Sequence, residues 1–172
     1  KALELFNSME GRGVKPNVIS YNAVISACEK GGQWQKSPRA RIELLNSMES
    51  YGVHPDVISY SAAISACEKG GQWEKALELF NSMKGRGVTP NVISYSAVVE
   101  ALESASRFEE AAELIMEARG HGFYIKAFTS TSKIDLHDCS EAVARTIMRI
   151  VLSEVQSGFR KPGKLNDNYR LG

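Results

Sequence analysis

Apolar residues along this chain recur at helical spacing in short runs, and glycines separate the runs. Between residues 57 and 73, Ile58, Ala62, Ala63, Ala66 and Cys67 mark a helix of about three turns. Gly70 and Gly71 stop it. After Gln72-Trp73 a second periodic run passes through Leu77, Phe80 and Met83, with Glu74 and Glu78 on its polar side. Gly85, Gly87 and Pro90 then break the chain again, as expected of a helix C-terminus and the turn beyond it. The pattern predicts a helical hairpin.

The hairpin repeats. VISYNAVISACEKGGQW at 18–34 returns as VISYSAAISACEKGGQW at 57–73, with 15 of 17 positions identical. ALELFNSMEGRGVKPN at 2–17 returns as ALELFNSMKGRGVTPN at 76–91, with 14 of 16 identical. Tyr21, Tyr60 and Tyr95 mark the phase at spacings of 39 and then 35. Such a period predicts an all-α solenoid, in which each unit buries its apolar face against its neighbours. The longer spacing comes from Ser37-Pro38-Arg39-Ala40, which RIELLNSM at 41–48 identifies as an insertion. Proline suits a first helical turn and serine suits the cap before it, so a shifted helix start is expected here. The glycine-arginine-glycine triplets at 11–13 and 85–87 fall where C-caps are needed and are read as turns, and Trp34 and Trp73 are read as packing residues. The third repeat starts at Val92, lacks the double glycine and keeps the period to about Lys126.

Composition narrows the possibilities. A net charge of +1 gives no broad basic field, so phosphate neutralisation cannot be the main source of nucleic-acid affinity. No apolar run reaches the roughly eighteen residues of a membrane span, so no membrane partner is expected. Cys28, Cys67 and Cys139 show no CxxC spacing; Cys28 and Cys67 hold equivalent repeat positions and read as small core residues, so no metal or other cofactor is expected. The first residue is Lys1, and KALELF already reads as mid-helix, which predicts a piece of a longer protein.

VISYN, the double-glycine turn, the ALELFNSM helix and the closing GVKPN or GVTPN together resemble the pentatricopeptide repeat family of RNA-binding proteins. The tryptophan-leucine-glycine-tyrosine signature of tetratricopeptide repeats is absent. The resemblance divides the chain into a partial repeat at 1–17, repeats at 18–56 and 57–91, and a degenerate repeat at 92–126. It implies a right-handed solenoid that holds single-stranded RNA, one base per repeat. By the same resemblance, the base-reading pairs are Asn22 with Asp56, Ser61 with Asn91 and Ser96 with Lys126, and Ile19, Ile58 and Ile93 flank the bases. The family's pairing rule makes Asn22/Asp56 a uridine reader and Ser61/Asn91 an adenosine reader, whereas Ser96/Lys126 departs from it. Asp56 and Asn91 are equally good N-caps for the helices that follow, and Asn22, Ser61 and Ser96 could simply be solvated. The family further implies an organelle, chloroplast or mitochondrion, and other RNA-processing proteins as partners. A protein-interaction scaffold is the alternative, since a solenoid groove can hold a peptide.

Residues 127–172 leave the pattern. KIDLHDCS predicts a short strand and EAVARTIMRIVLSEVQ a helix, with Ser140 as N-cap; Val143, Ile147, Ile150, Val151 and Val155 form the apolar face, and Glu141, Arg145 and Arg149 point away. This segment resembles the opening of the small MutS-related domain, which would add a partial α/β unit. Its LDxH motif reads Ile134-Asp135-Leu136-His137 here, with Asp138 where glycine is usual. Some members nick nucleic acid, and Asp135 and His137 are the residues such chemistry would use. The TGxG loop that completes that site is missing, so no enzymatic activity is expected of this chain, and a full-length nuclease is the more distant alternative.

Overall fold

The computed structural model describes residues 2–30, 38–129 and 134–158. Among them are nine helices: α1 Ala2–Gly11, α2 Val18–Lys30, α3 Pro38–Ser50, α4 Val57–Lys69, α5 Trp73–Gly85, α6 Val92–Ser104, α7 Phe108–Gly120, α8 Ile125–Thr129 and α9 Glu141–Gln156. The chain divides into two compact units, Lys1–Ala101 and Leu102–Gly172, with the boundary inside α6.

In the first unit α4 packs against α5 to form a hairpin, α3 packs against α4, and α2 lies against both α3 and α4. The tyrosines that set the sequence period are the seam of the core. Tyr21, Tyr60 and Tyr95 are all buried, Phe6 meets Tyr21 edge to face at 4.7 Å, and Phe80 meets Tyr95 at 5.0 Å. Each such pair adds about 0.5–1.5 kcal/mol beyond the area it buries. Leu45 stands where these phenylalanines stand, in the repeat with the insertion, and is also buried. Cys67 packs as a small apolar residue, and burial pushes its thiol up to about 11. The side chain of Cys28 and the whole of Trp34 lie outside the described residues; Trp73 opens α5 and is half-buried. Arg41 occupies the place of Ala76 and is buried too, its Nη1 donating to the carbonyl of Ala62 at 3.5 Å. The inserted proline begins α3, in agreement with a shifted start and an intact helix.

Every second helix ends on the same turn. Gly13, Gly52, Gly87 and Gly122 have φ of 72°, 70°, 74° and 92°. The next residue in each case sends its N–H five residues back, as from Val88 to the carbonyl of Met83 at 3.0 Å. That is the Schellman closure, which satisfies a carbonyl the helix itself leaves open. Among the first helices, α4 and α6 close alike. Gly71, at φ 67°, precedes a Gln72 to Cys67 bond of 2.9 Å. In the degenerate repeat Ser106 takes this place at φ 59°, and Arg107 bonds back to Leu102 at 2.8 Å. The turn therefore survives the loss of the double glycine, at the cost of a side chain in the left-handed region.

In the second unit α9 packs against α7. Ser140 caps it, accepting from the N–H of Val143 at 3.5 Å, and Val143, Ile147 and Val151 are buried as the periodicity predicts. Arg149 departs from its expected outward direction. It pairs with the buried carboxylate of Glu103, which also accepts from Thr146 Oγ1 at 2.6 Å, and its guanidinium lies 4.1 Å from the Phe108 ring. Burial of Glu103 demands a cation and a donor, and α9 supplies both.

The expected strand is not formed, and the described residues contain no strand at all. Residues 134–136 are irregular and a turn follows. Asp135 Oδ1 accepts from the N–H of His137 at 3.1 Å, and the carbonyl of Leu136 accepts from Cys139 N–H at 3.1 Å. These local bonds hold the backbone in a turn, in competition with any sheet ladder. Asp135 and His137 are exposed on that turn and do not share a strand face. The partial α/β segment is thus replaced by turn and helix.

Glycine at position 106 would remove the side-chain strain, less a share lost to the greater freedom of the unfolded chain. Ser106→Gly should stabilise the protein by about 0.5–1 kcal/mol. Urea unfolding followed by circular dichroism measures this, and a lower midpoint would contradict the account of the turn.

Candidate nucleic-acid interface

The site is built at the junctions between repeats. Asn17, Asp56 and Asn91 each follow a proline and each precede a first helix, α2, α4 and α6 respectively. Their carbonyls accept the first helical bond, from Tyr21, Tyr60 and Tyr95, at 3.1 Å in all three. Their side chains cap the same helices. Asn17 Oδ1 accepts from Ser20 N–H at 3.0 Å, Asp56 Oδ1 from Ser59 N–H at 2.9 Å and Ile58 N–H at 3.0 Å, and Asn91 Oδ1 from Ser94 N–H at 3.0 Å. A reciprocal bond runs from the N–H of each cap to the serine hydroxyl, at 3.5, 3.3 and 2.9 Å. This is a capping box with serine in place of the usual glutamate or glutamine.

Two of the caps also reach the preceding repeat. Asn22 Nδ2 donates to both carboxylate oxygens of Asp56, at 3.1 and 3.2 Å. Ser61 Oγ donates to Asn91 Oδ1 at 3.3 Å. The structure therefore brings Asn22 together with Asp56 and Ser61 together with Asn91. Capping and bonding to the preceding repeat occur in the same side chains. Lys126 has a different local setting from Asp56 and Asn91. Lys126 lies inside α8 and not before a long helix, and it belongs to the second unit while Ser96 belongs to the first.

Ile19, Ile58 and Ile93 are the second residues of α2, α4 and α6. They are 73%, 55% and 57% exposed, although periodicity groups Ile58 with the core face. Three isoleucines exposed at one repeat position make an apolar row beside the paired polar groups. Ser61 is buried, so Asn91 is the more accessible member of its pair. Ser59 went unnoticed in the sequence reading. The signal was the serine three residues after every cap, at 20, 59 and 94. No cluster of His, Cys, Asp or Glu suited to a metal occurs among the described residues, and no described helix is long and apolar enough to cross a membrane.

These features define an array of helical hairpins whose polar caps are shared between neighbours. Models of the PPR repeat family match residues 1–30 and 55–104, and a PPR repeat model matches 93–123, together more than half of the chain. The chain belongs to the pentatricopeptide repeat family. Among solved structures it is similar to the pentatricopeptide repeat protein PPR10 in complex with an 18-nt psaJ RNA element, with TM-score 0.61, 24% identity, and coverage of 90% of this chain and 21% of that one. PPR10 from maize matches at TM-score 0.56 and 22% identity, covering 94% and 22%. The PPR domain of Arabidopsis thaliana protein-only RNase P 1 in complex with tRNA matches at TM-score 0.50 and 15% identity, covering 91% and 89%. The chain thus spans about a fifth of PPR10, and these likenesses establish the fold. No curated protein matches the chain.

Partial burial of Asp56 works against its ionisation. The N–H of Ser59, the Asn22 amide, the Ser59 hydroxyl and the N–H of Ile58 together outweigh it and lower the pKa below the ordinary 3.8. Ionised Asp56 therefore stabilises the fold above pH 3.8, and that contribution is lost as pH falls through the lowered folded value. Carboxyl carbon NMR shifts of Asp56 should titrate with a midpoint below 3.8, and Asn22→Ala should move the midpoint upward. An unmoved midpoint would show that the pair contributes nothing to the carboxylate.

Proposed function

We propose that this chain binds single-stranded RNA along the exposed ends of its first helices, one base at each paired junction. The observation that carries this reading is the linkage of Asn22 to Asp56 and of Ser61 to Asn91, each beside exposed isoleucines. Ile19 and Ile58 would sandwich one base, and Ile58 and Ile93 the next. The paired polar groups would meet the base edge between them. Asn22, with its Nδ2 turned to Asp56, keeps a second amide hydrogen that suits the carbonyl of uridine. Asn91 offers a carboxamide, which can answer both the amine and the ring nitrogen of adenine. Lys126, inside α8, departs from this arrangement, and the Ser96/Lys126 repeat contributes a phosphate contact or nothing. Membership of this family supports an organellar setting, chloroplast or mitochondrion, and a role in RNA processing or stability alongside other processing proteins.

The expected affinity is low. A stacked base is worth about 1–3 kcal/mol, and two junctions are competent. A dissociation constant of about 1 mM corresponds to about 4.1 kcal/mol. The isolated chain should therefore bind RNA at roughly millimolar to tens of micromolar. Fluorescence anisotropy with RNA and DNA homopolymers checks this, and nanomolar binding at physiological salt would place the surface elsewhere.

Asn91→Asp tests the register. A carboxylate only accepts, so it disfavours the bare ring nitrogen of adenine and favours guanine, which shows two adjacent N–H donors. It also remains a competent N-cap, so melting should hardly change. The second junction should shift from adenine towards guanine. If the variant kept an adenine preference while melting like the parent, Asn91 would be a cap alone.

A further inference from the structure

We propose that Ser59 is a positioning residue for base recognition, fixing which end of the Asn22 amide faces the RNA; this rests on the reading of Asn22 and Asp56 as a base-reading pair. The Ser59 hydroxyl lies where the two repeats meet. It donates to Asn22 Oδ1 at 2.7 Å and accepts from the N–H of Asp56 at 3.3 Å. Asp56 Oδ1 is a second possible acceptor, at 3.0 Å, but it already receives the N–H groups of Ile58 and Ser59 and the Asn22 amide. A hydroxyl has one hydrogen, and the shorter, less crowded contact takes it. The amide is thus held at both ends. A carboxylate cannot donate, so Asp56 selects the Nδ2 end of Asn22, and a hydroxyl hydrogen aimed at Oδ1 selects the same orientation. The donor left for a base is the second N–H of Nδ2, which distinguishes the uridine carbonyl from the cytidine amine.

The next junction lacks this arrangement. Ser94 occupies the place of Ser59, but its hydroxyl donates to the carbonyl of Asn91 at 2.8 Å, and the shorter Ser61 is itself the donor to Asn91 Oδ1 at 3.3 Å. The same serine therefore serves only the cap at one junction and both cap and reader at the other. An asparagine at position 22 brings the amide within its reach.

The full chain is tested with oligouridine and oligocytidine, so that any register places the same base at the first junction. Ser59→Ala should reduce the uridine-over-cytidine preference about fivefold, the size of one neutral hydrogen bond. Ser59→Thr, which keeps the hydroxyl, and Ser94→Ala, which loses only a cap bond, should retain the parental preference. Ser59→Cys, similar in shape with a weak donor, should give a smaller fall and serves if the alanine variant melts below the assay temperature. In the free protein, the Asn22 side-chain amide resonances should shift in Ser59→Ala and not in Ser94→Ala, a signature that capping alone would not produce. A parental preference in both Ser59→Ala and Ser59→Cys, with Asn22→Ala abolishing it, overturns the positioning role and leaves the reading intact. Preference that survives Asn22→Ala overturns the reading at this junction, and the role of Ser59 with it.

Discussion

The capped junction is the constraint on which the first unit depends. Four N–H groups at the start of a helix lack intrahelical partners, and a side-chain acceptor there sets both where the helix begins and how it leaves the preceding turn. Asn17, Asp56 and Asn91 do this at three successive first helices. Their placement fixes the phase of everything downstream. Four residues after each cap comes the buried tyrosine, and Tyr21 and Tyr95 receive a phenylalanine from the second helix before them. One residue before each serine of the capping box comes the exposed isoleucine. Core seam and candidate binding row are therefore two faces of a single register.

Sharing the cap between neighbouring repeats joins the start of one helix to a side chain of the first helix in the preceding repeat. Asp56 holds α4 in place and also holds Asn22, so its charge state affects both. A side chain such as Asn22, whose partner is also a helix cap, cannot move without unsettling that helix, which restricts its motion. Pre-organisation of this kind reduces the ordering cost of binding, and each junction adds only a small gain. Long arrays are the natural consequence, since affinity has to accumulate over repeats.

The two units end their hairpins with the same turn chemistry but use acids differently. Glu68 and Glu103 hold the same position in successive repeats. Burial and the neighbouring Glu100 raise the pKa of Glu68. Glu103 instead meets Thr146 and Arg149 of α9, a helix with no counterpart in the repeat pattern. A position that brings acids close together in the array becomes an anchoring point where a helix bearing a cation packs.

The hairpins, their phase and the caps Asp56 and Asn91 were legible in the sequence, because near-identical copies average out the ambiguity of any single segment. Glycine placement gave the turns, and the 39-residue spacing gave a displaced α3, because both are local effects of backbone geometry. Ser140 and the limits of α9 were legible for the same reason. Tertiary structure alone decided what local pattern could not. Ile58 fits an apolar face by periodicity, yet it lies in the first turn of α4 and remains exposed. Arg149 reads as a surface cation until Glu103 is buried beside it. IDLH alternates like a strand, but a strand needs a partner ladder, and among the described residues Asp135 and Leu136 bond within their own turn instead. That Asp56 and Asn91 bond to the preceding repeat while capping their own helices could not be read from residue type, which shows an acceptor and not its partners. Packing α2 against α4 brought Asn22 to Asp56 across 34 residues, so that one carboxylate caps a helix and holds a neighbour's amide.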